Sequence, residues 1–210
     1  MHAQTLDTVL PLMLDIPTPL TDDFIAALGS RNPQYRFETT ADGKLIVTPG
    51  TGFFASVGEA ELIRQVTTWN FAHKLGCVSS SSGYFRLKYT AAVKGPDCTY
   101  TSWESIDDQL PLDQEPQAYE QFAPDATFEL MSPTDDFTTL DTKCRDFVAN
   151  GIPVVLLLIW RTQSVATYRP NAKPVYADDI SAVVVGREMP GFVLDAQAVF
   201  AASIRKRPST

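Results

Sequence analysis

Six consecutive residues, Val154–Ile159 (VVLLLI), are apolar without a single polar alternation. A strand of this composition has to be covered on both faces, which places it inside a sheet flanked by helices. Pro153 launches the run, and Gly151 just before it is a helix stop. Even extended to Trp160 the stretch is of strand length, far below the ~20 residues of a membrane span. The chain is therefore expected to be an α/β domain that does not enter a membrane.

The rest of the pattern agrees. Residues 1–20, with Pro11, Pro17 and Pro19, read as an extended lead-in. Thr21 is an expected N-cap with Asp22 and Asp23 in the first helical turn, and Gly29 is the expected stop. Arg36–Pro49 reads as a hairpin around Asp42-Gly43, a pair suited to a tight primed turn. Leu62, Val66, Trp69 and His73 predict a helix over 56–74, with Gly76 ending it. Strands are expected near 84–89 and 98–101, and residues 104–123 read as a long polar loop. Ala126–Met131 is a strand. Thr134 is expected to cap a helix reaching Asn150, with Phe137, Leu140, Cys144, Phe147 and Val148 on its apolar side. Strands near 164–168 and 175–185 and a short closing helix follow. This gives one domain over 21–204, with 205–210 as a basic tail.

Composition narrows the function classes. The chain has 210 residues, 17 basic against 25 acidic, for a formal net charge of -8. That balance argues against a generally basic nucleic-acid coat. Three widely spaced cysteines exclude a disulfide framework and any CxxC metal knuckle, and they suit a reducing compartment. Nothing at the N-terminus reads as a signal peptide. A cytoplasmic protein is expected.

The chemistry concentrates between Pro124 and Gly151. Along PDATFELM, Asp125, Thr127 and Glu129 point one way and Ala126, Phe128 and Leu130 the other. The second set is a core face. The first puts carboxylates on a strand of limited exposure, where each needs a cation, a metal or hydrogen bonds. Gly95-Pro96-Asp97 places a third carboxylate at a strand start, and Lys143 lies beside the apolar stripe of the next helix. Two or three carboxylates and a lysine suit metal-assisted phosphodiester hydrolysis. The carboxylates hold Mg²⁺ or Mn²⁺, and the lysine neutralises developing charge or orients water.

In order and spacing, RFETTADGKLIVTPGTG, SSSGYFRL, GPDCTYTSWESI, FAPDATFELMSPTDDFTTLDTKCRDFVANGIPVVLLLI, VATYRP and VVVGREMPGFVLDAQAVF resemble the Uma-type restriction endonucleases. These are a branch of the PD-(D/E)XK nuclease superfamily, and the resemblance covers about residues 18–200. It implies a restriction-endonuclease-like mixed β-sheet flanked by helices, with an N-terminal helix and a β-hairpin. It implies that Asp97 and Glu129 hold the metal and that Lys143 is the lysine moved from strand to helix. Glu38 matches the family's hairpin glutamate, Asp125 its second Pro-Asp, and Glu61 its helix glutamate. Two positions depart from the pattern. The family's Asp at the end of the buried strand is Ile159 or Trp160 here, and its Asn at the start of the first long helix is replaced near Gly58 or Glu59.

Taken singly, each residue has a plainer reading. Asp97 after Pro96 is a turn residue, Asp125 an exposed strand start, and Lys143 or Glu61 a solvated helix charge. Glu38 is a partner for Arg36. His73 sits at a helix edge, and Cys98 and Cys144 are small buried hydrophobes. The leading expectation is a Mg²⁺-dependent DNA endonuclease, possible as a homodimer, using a local basic cluster of Arg64, Lys74, Arg86, Lys88 and Lys94. Against it stand a nuclease fold retained as an interaction or regulatory protein, and an enzyme acting on a small phosphorylated substrate.

Overall fold

The computed structural model describes residues 11–113 and 115–204. In chain order the elements are β1 (Leu12–Leu14), α1 (Asp22–Arg31), β2 (Tyr35–Thr39), β3 (Leu45–Pro49), α2 (Phe53–His73), β4 (Gly76–Ser80) and β5 (Phe85–Leu87). Next come β6 (Val93–Lys94), β7 (Cys98–Ser102), α3 (Trp103–Gln109), β8 (Gln121–Phe122), β9 (Ala126–Met131) and α4 (Phe137–Ala149). The last are β10 (Val154–Ile159), β11 (Ser164–Tyr168), β12 (Val175–Tyr176), β13 (Val183–Val184), β14 (Val193–Leu194) and α5 (Ala196–Ala202).

The apolar run is β10, buried at all six positions in the middle of a six-stranded sheet ordered β12-β11-β10-β9-β7-β4. Its pairing with β9 is parallel, while β11 and the β7–β9 and β4–β7 pairs are antiparallel, so the sheet is mixed. On one face, Leu62, Val66 and Trp69 of α2 and Val199 and Phe200 of α5 pack on Phe128, Leu156 and Leu158. On the other, Cys144 and Phe147 of α4 pack on Val155, Leu157 and Ile159. Each fully buried side chain of this size contributes about 1.5–3 kcal/mol relative to exposure, which ties both helices to the sheet. A separate three-stranded sheet, β1-β3-β2, packs with α1 around Ile25, Phe37, Leu45 and Val47. No helix among the described residues is long and apolar enough to cross a membrane.

Several local expectations are corrected. The lead-in contains β1, which pairs antiparallel with β3, because Leu12 finds a place against the hairpin core. The first ten residues and the basic tail 205–210 lie outside the described residues. Helix α1 runs past Gly29 to Arg31, since Leu28 still packs on the hairpin and the Asn32 backbone and side-chain N–H groups close its last carbonyls. The hairpin turn is not of the primed two-residue kind. Thr40 O accepts from Gly43 N, and only Gly43 takes a left-handed φ, +81°. That is the geometry of a type I turn followed by a glycine bulge.

Helix α2 begins at Phe53 rather than Ser56 and ends on Lys74 in the left-handed conformation. Gly76 belongs to β4, where a Cβ would come within 2.1 Å of the Thr101 carbonyl oxygen. Residues 104–123 are not all loop. Helix α3 buries no residue of its own, so it has no apolar stripe to announce it. Helix α4 is capped by Asp136 rather than Thr134, and Asp135 instead accepts from Ser132 N to close the preceding turn.

Candidate active site

The site forms where β7 begins beside the end of β9. Cys98 stands opposite Phe128 in the antiparallel ladder, so Asp97, one residue earlier, comes beside Glu129. The Asp97 carboxylate accepts from Leu130 N at 2.8 Å, which fixes it to the neighbouring strand. Strand alternation turns Ala126, Phe128 and Leu130 into the core under α2 and leaves Glu129 on the face that α4 covers. With Cys144 and Phe147 buried against the sheet, the adjoining Lys143 reaches over the strand. Its Nζ lies 2.9 Å from Glu129 Oε1 and 2.8 Å from Glu38 Oε1, and donates to Gly95 O at 3.3 Å.

The hairpin closes the other side. On β2, Phe37 turns into the hairpin core while Arg36 and Glu38 share the opposite face. Arg36 Nη1 donates to Asp97 Oδ1 at 3.2 Å, and its Nη2 lies 3.8 Å from Glu59 Oε2. Glu38 accepts from Gly95 N at 3.1 Å and has Lys94 Nζ at 3.5 Å. Gly95 cannot be replaced cheaply, because a Cβ there would sit 2.6 Å from the Tyr84 ring. The result is four carboxylates, Glu38, Glu59, Asp97 and Glu129, interleaved with Arg36, Lys94 and Lys143.

Burial and charge sort these groups. Burial raises the Glu129 carboxyl, and although Lys143 opposes this, nearby Asp97 and Glu38 reinforce it, leaving the group at about 8. Burial acts the same way on Glu38, but Lys143, Lys94 and the Gly95 N–H outweigh it and hold that carboxyl at about 2. Burial disfavours the Lys143 ammonium, yet Glu129, Glu38 and Asp97 outweigh this and keep it charged. Glu129 Oε1 is paired with Lys143 by distance but lies off the line of a hydrogen bond, so a fully buried oxygen accepts none. Such an atom is costly unless a ligand or proton satisfies it.

Of the residues singled out from sequence, Asp97, Glu129, Lys143 and Glu38 come together. Asp125 does not. Its two oxygens accept from Ser102 N at 2.6 Å and Ser105 Oγ at 2.7 Å, at the far end of the same ladder. Glu61 also stands apart, bonded to Arg64 and Gln65. The helix glutamate that approaches the cluster is Glu59, two residues earlier. Arg36 and Lys94 are further members whose roles sequence reasoning missed: Arg36, expected as a partner for Glu38, pairs with Asp97 and Glu59, and Lys94, expected in a basic patch, pairs with Glu38. The period-2 relation of Arg36 to Glu38 was the available signal. The expected basic patch is not a free cluster: Arg64 is paired with Glu61, Arg86 with Asp22, and Lys94 is buried against Glu38. His73 bonds Trp69 O and stacks on its ring, and Cys77, Cys98 and Cys144 are free thiols. Of the two candidates for the position of the missing family Asp, Ile159 packs into the apolar layer under α4 and Trp160 against the opposite core.

Among the described residues, no three His, Cys, Asp or Glu side chains converge to hold a metal ion. Asp97 and Glu129 do offer two adjacent carboxylates, one with an unbonded buried oxygen. That donor set fits a hard, oxygen-seeking cation such as Mg²⁺, which uses one or two protein carboxylates and leaves its other positions to water and phosphate. It does not fit zinc, which prefers nitrogen and sulfur.

A crystal structure of a protein from Anabaena variabilis, described as a "putative nuclease belonging to DUF820", is similar in fold. The TM-score is 0.72 at 20% sequence identity, covering 89% of this chain and 100% of that one. No curated protein shows a significant match. The model of the Uma2 family, described as "Putative restriction endonuclease", matches residues 21–197. With the mixed sheet, the hairpin and the carboxylate–lysine cluster all inside that span, the chain belongs to the Uma2 family of nuclease-fold proteins.

Proposed function

We propose that the protein is a Mg²⁺-dependent endonuclease that hydrolyses phosphodiester bonds in DNA. The observation that carries this reading is the buried contact of Lys143 with Glu129 and Glu38, with Asp97 on the adjoining strand. Family membership supports a nuclease. Asp97 and Glu129 would hold the cation, which when bound polarises the phosphate and acidifies a coordinated water. Lys143, kept charged by its carboxylate neighbours, neutralises charge that develops on the phosphate oxygens. Glu38 keeps that ammonium in place, because its own carboxylate stays ionised well below neutral pH. Lys94 and the Gly95 N–H fix Glu38 in turn. Two such sites would let both strands of a duplex be cut in one encounter, so the proposal includes pairing of two chains. Three free thiols suit the reducing cytoplasm.

The test is cleavage of plasmid and single-stranded DNA with Mg²⁺ and with Mn²⁺, wild type beside Asp97→Ala and Glu129→Ala. Metal-dependent cutting lost in both variants is the expected result. A wild type that cuts no nucleic acid and binds no Mn²⁺ by calorimetry would sink the reading in favour of a fold kept for interaction. Metal binding without nucleic-acid cleavage would direct attention to small phosphodiesters.

A further inference from the structure

We propose that Arg36 is the phosphate-binding residue of this site, holding Asp97 in the arrangement seen here and turning to the scissile phosphate when a divalent cation takes Asp97. The inference rests on the metal-dependent reading above and assigns a role that reading leaves open.

Three observations point to it. First, Arg36 is underused. A guanidinium carries five N–H donors, and among the described residues this one makes a single hydrogen bond, to Asp97 Oδ1. Arg169, by contrast, makes two to Glu188 and one to Val185 O. Second, Arg36 is the cation of the cluster most open to solvent. Its side chain is 25% exposed, against 15% for Lys143 and 6% for Lys94, so an incoming substrate meets it first. Third, the one hydrogen bond it makes is to a group that a cation would take. Its one hydrogen-bonded partner, Asp97 Oδ1, belongs to a carboxylate assigned to the cation, so metal and arginine compete for the same group. With a cation on Asp97, Arg36 loses its strongest anionic partner and keeps only the looser Glu59 at 3.8 Å. Its planar fork then matches two phosphate oxygens.

The experiment compares wild type, Arg36→Gln and Arg36→Lys. Calorimetry measures Mn²⁺ affinity without DNA, plasmid cleavage gives kcat and KM, and circular dichroism verifies folding. Removing a cation that competes for Asp97 should tighten Mn²⁺ binding by Arg36→Gln about tenfold. The same change should lower kcat about 100-fold through loss of the phosphate contact. Arg36→Lys, which keeps the charge beside Asp97, should bind Mn²⁺ as wild type does and recover part of the rate. Opposite signs for metal affinity and turnover are the signature, because a merely structural arginine would weaken both. Mn²⁺ binding by Arg36→Gln that is unchanged or weaker overturns the proposal, as does wild-type kcat in that variant. If Arg36→Gln fails to fold, wild-type metal affinity with reduced kcat in Arg36→Lys supports the proposal, and altered metal affinity or full kcat there overturns it. A wild type that neither binds Mn²⁺ nor cuts DNA overturns the metal-dependent reading itself, and this inference with it.

Discussion

Pro96-Asp97 and Pro124-Asp125 are the same dipeptide at the start of neighbouring strands, yet they end in different chemistry. Strands β7 and β9 run antiparallel, so the two aspartates lie at opposite ends of one ladder. Asp97 comes beside Glu129, whose buried Oε1 accepts no hydrogen bond, and it accepts from the Arg36 guanidinium and Leu130 N. Asp125 comes beside Ser102 and Ser105, where both its oxygens are satisfied by the first turn of α3. A carboxylate with its lone pairs spent on a helix start is a brace. A carboxylate facing a cation and another carboxylate is a candidate site. The dipeptide does not distinguish the two; the strand register does.

The sharpest way to break this contrast is to neutralise each aspartate without changing its shape. Asp97→Asn keeps an oxygen for Leu130 N but loses the charge, and cleavage should fall about 10³-fold. Asp125→Asn should leave kcat within a few-fold per folded molecule and instead lower stability by roughly 1–3 kcal/mol, as charged hydrogen bonds are replaced. Parallel plasmid-cleavage rates and urea melts check both. Equal loss of turnover in the two variants would mean that both ends of the ladder take part in the chemistry.

The site end also predicts a pH signature. Glu129 titrates at about 8 in the folded chain against 4.5 for the ordinary group. Between those values the folded state binds the extra proton, so stability falls as pH rises, by roughly 1 kcal/mol per pH unit. Glu38 acts in the opposite sense. Held at about 2, it stabilises above 4.5 and that contribution is lost as pH falls toward 2. Melting temperatures from pH 5 to 8 in chelator should therefore decline for wild type and flatten in Glu129→Gln. Parallel declines in the two proteins would show that Glu129 is not the buried acid.

What was legible in the sequence follows from how local each signal is. The bounds of β9 are written in the alternation of PDATFELM, and β10 in its unbroken apolar run. The set of Asp97, Glu129 and Lys143 was legible from strand alternation and spacing, but Glu38 was legible only through resemblance, because it lies on a hairpin 105 residues before Lys143. Arg36 and Lys94 were hidden for a physical reason. A basic residue on a short strand looks solvated until the surrounding carboxylates are placed, so Lys94 was read as part of a DNA-facing patch although it is 4% exposed. Helix α3 was hidden because it buries nothing, and β1 because its three residues are a strand only through their pairing with β3.

The smallest effect separates two glutamates of α2 that the sequence could not tell apart. Glu61 is bonded to Arg64 and Gln65, which lower its carboxyl, and it touches none of the cluster. Glu59 is buried, which raises its carboxyl, and it lies against Arg36. If Arg36 moves between Asp97 and a phosphate, Glu59 is the charge that remains beside it throughout and limits how far it swings. Glu59→Gln should therefore raise KM for plasmid about threefold, a change of the size expected for one loose ion pair. Glu61→Gln should leave KM and kcat within about twofold, as for an ordinary surface substitution. Steady-state cleavage by the two variants decides it: a larger effect from Glu61 would mean that the helix approaches the substrate along its other face, and that Glu59 is only a buried counter-ion.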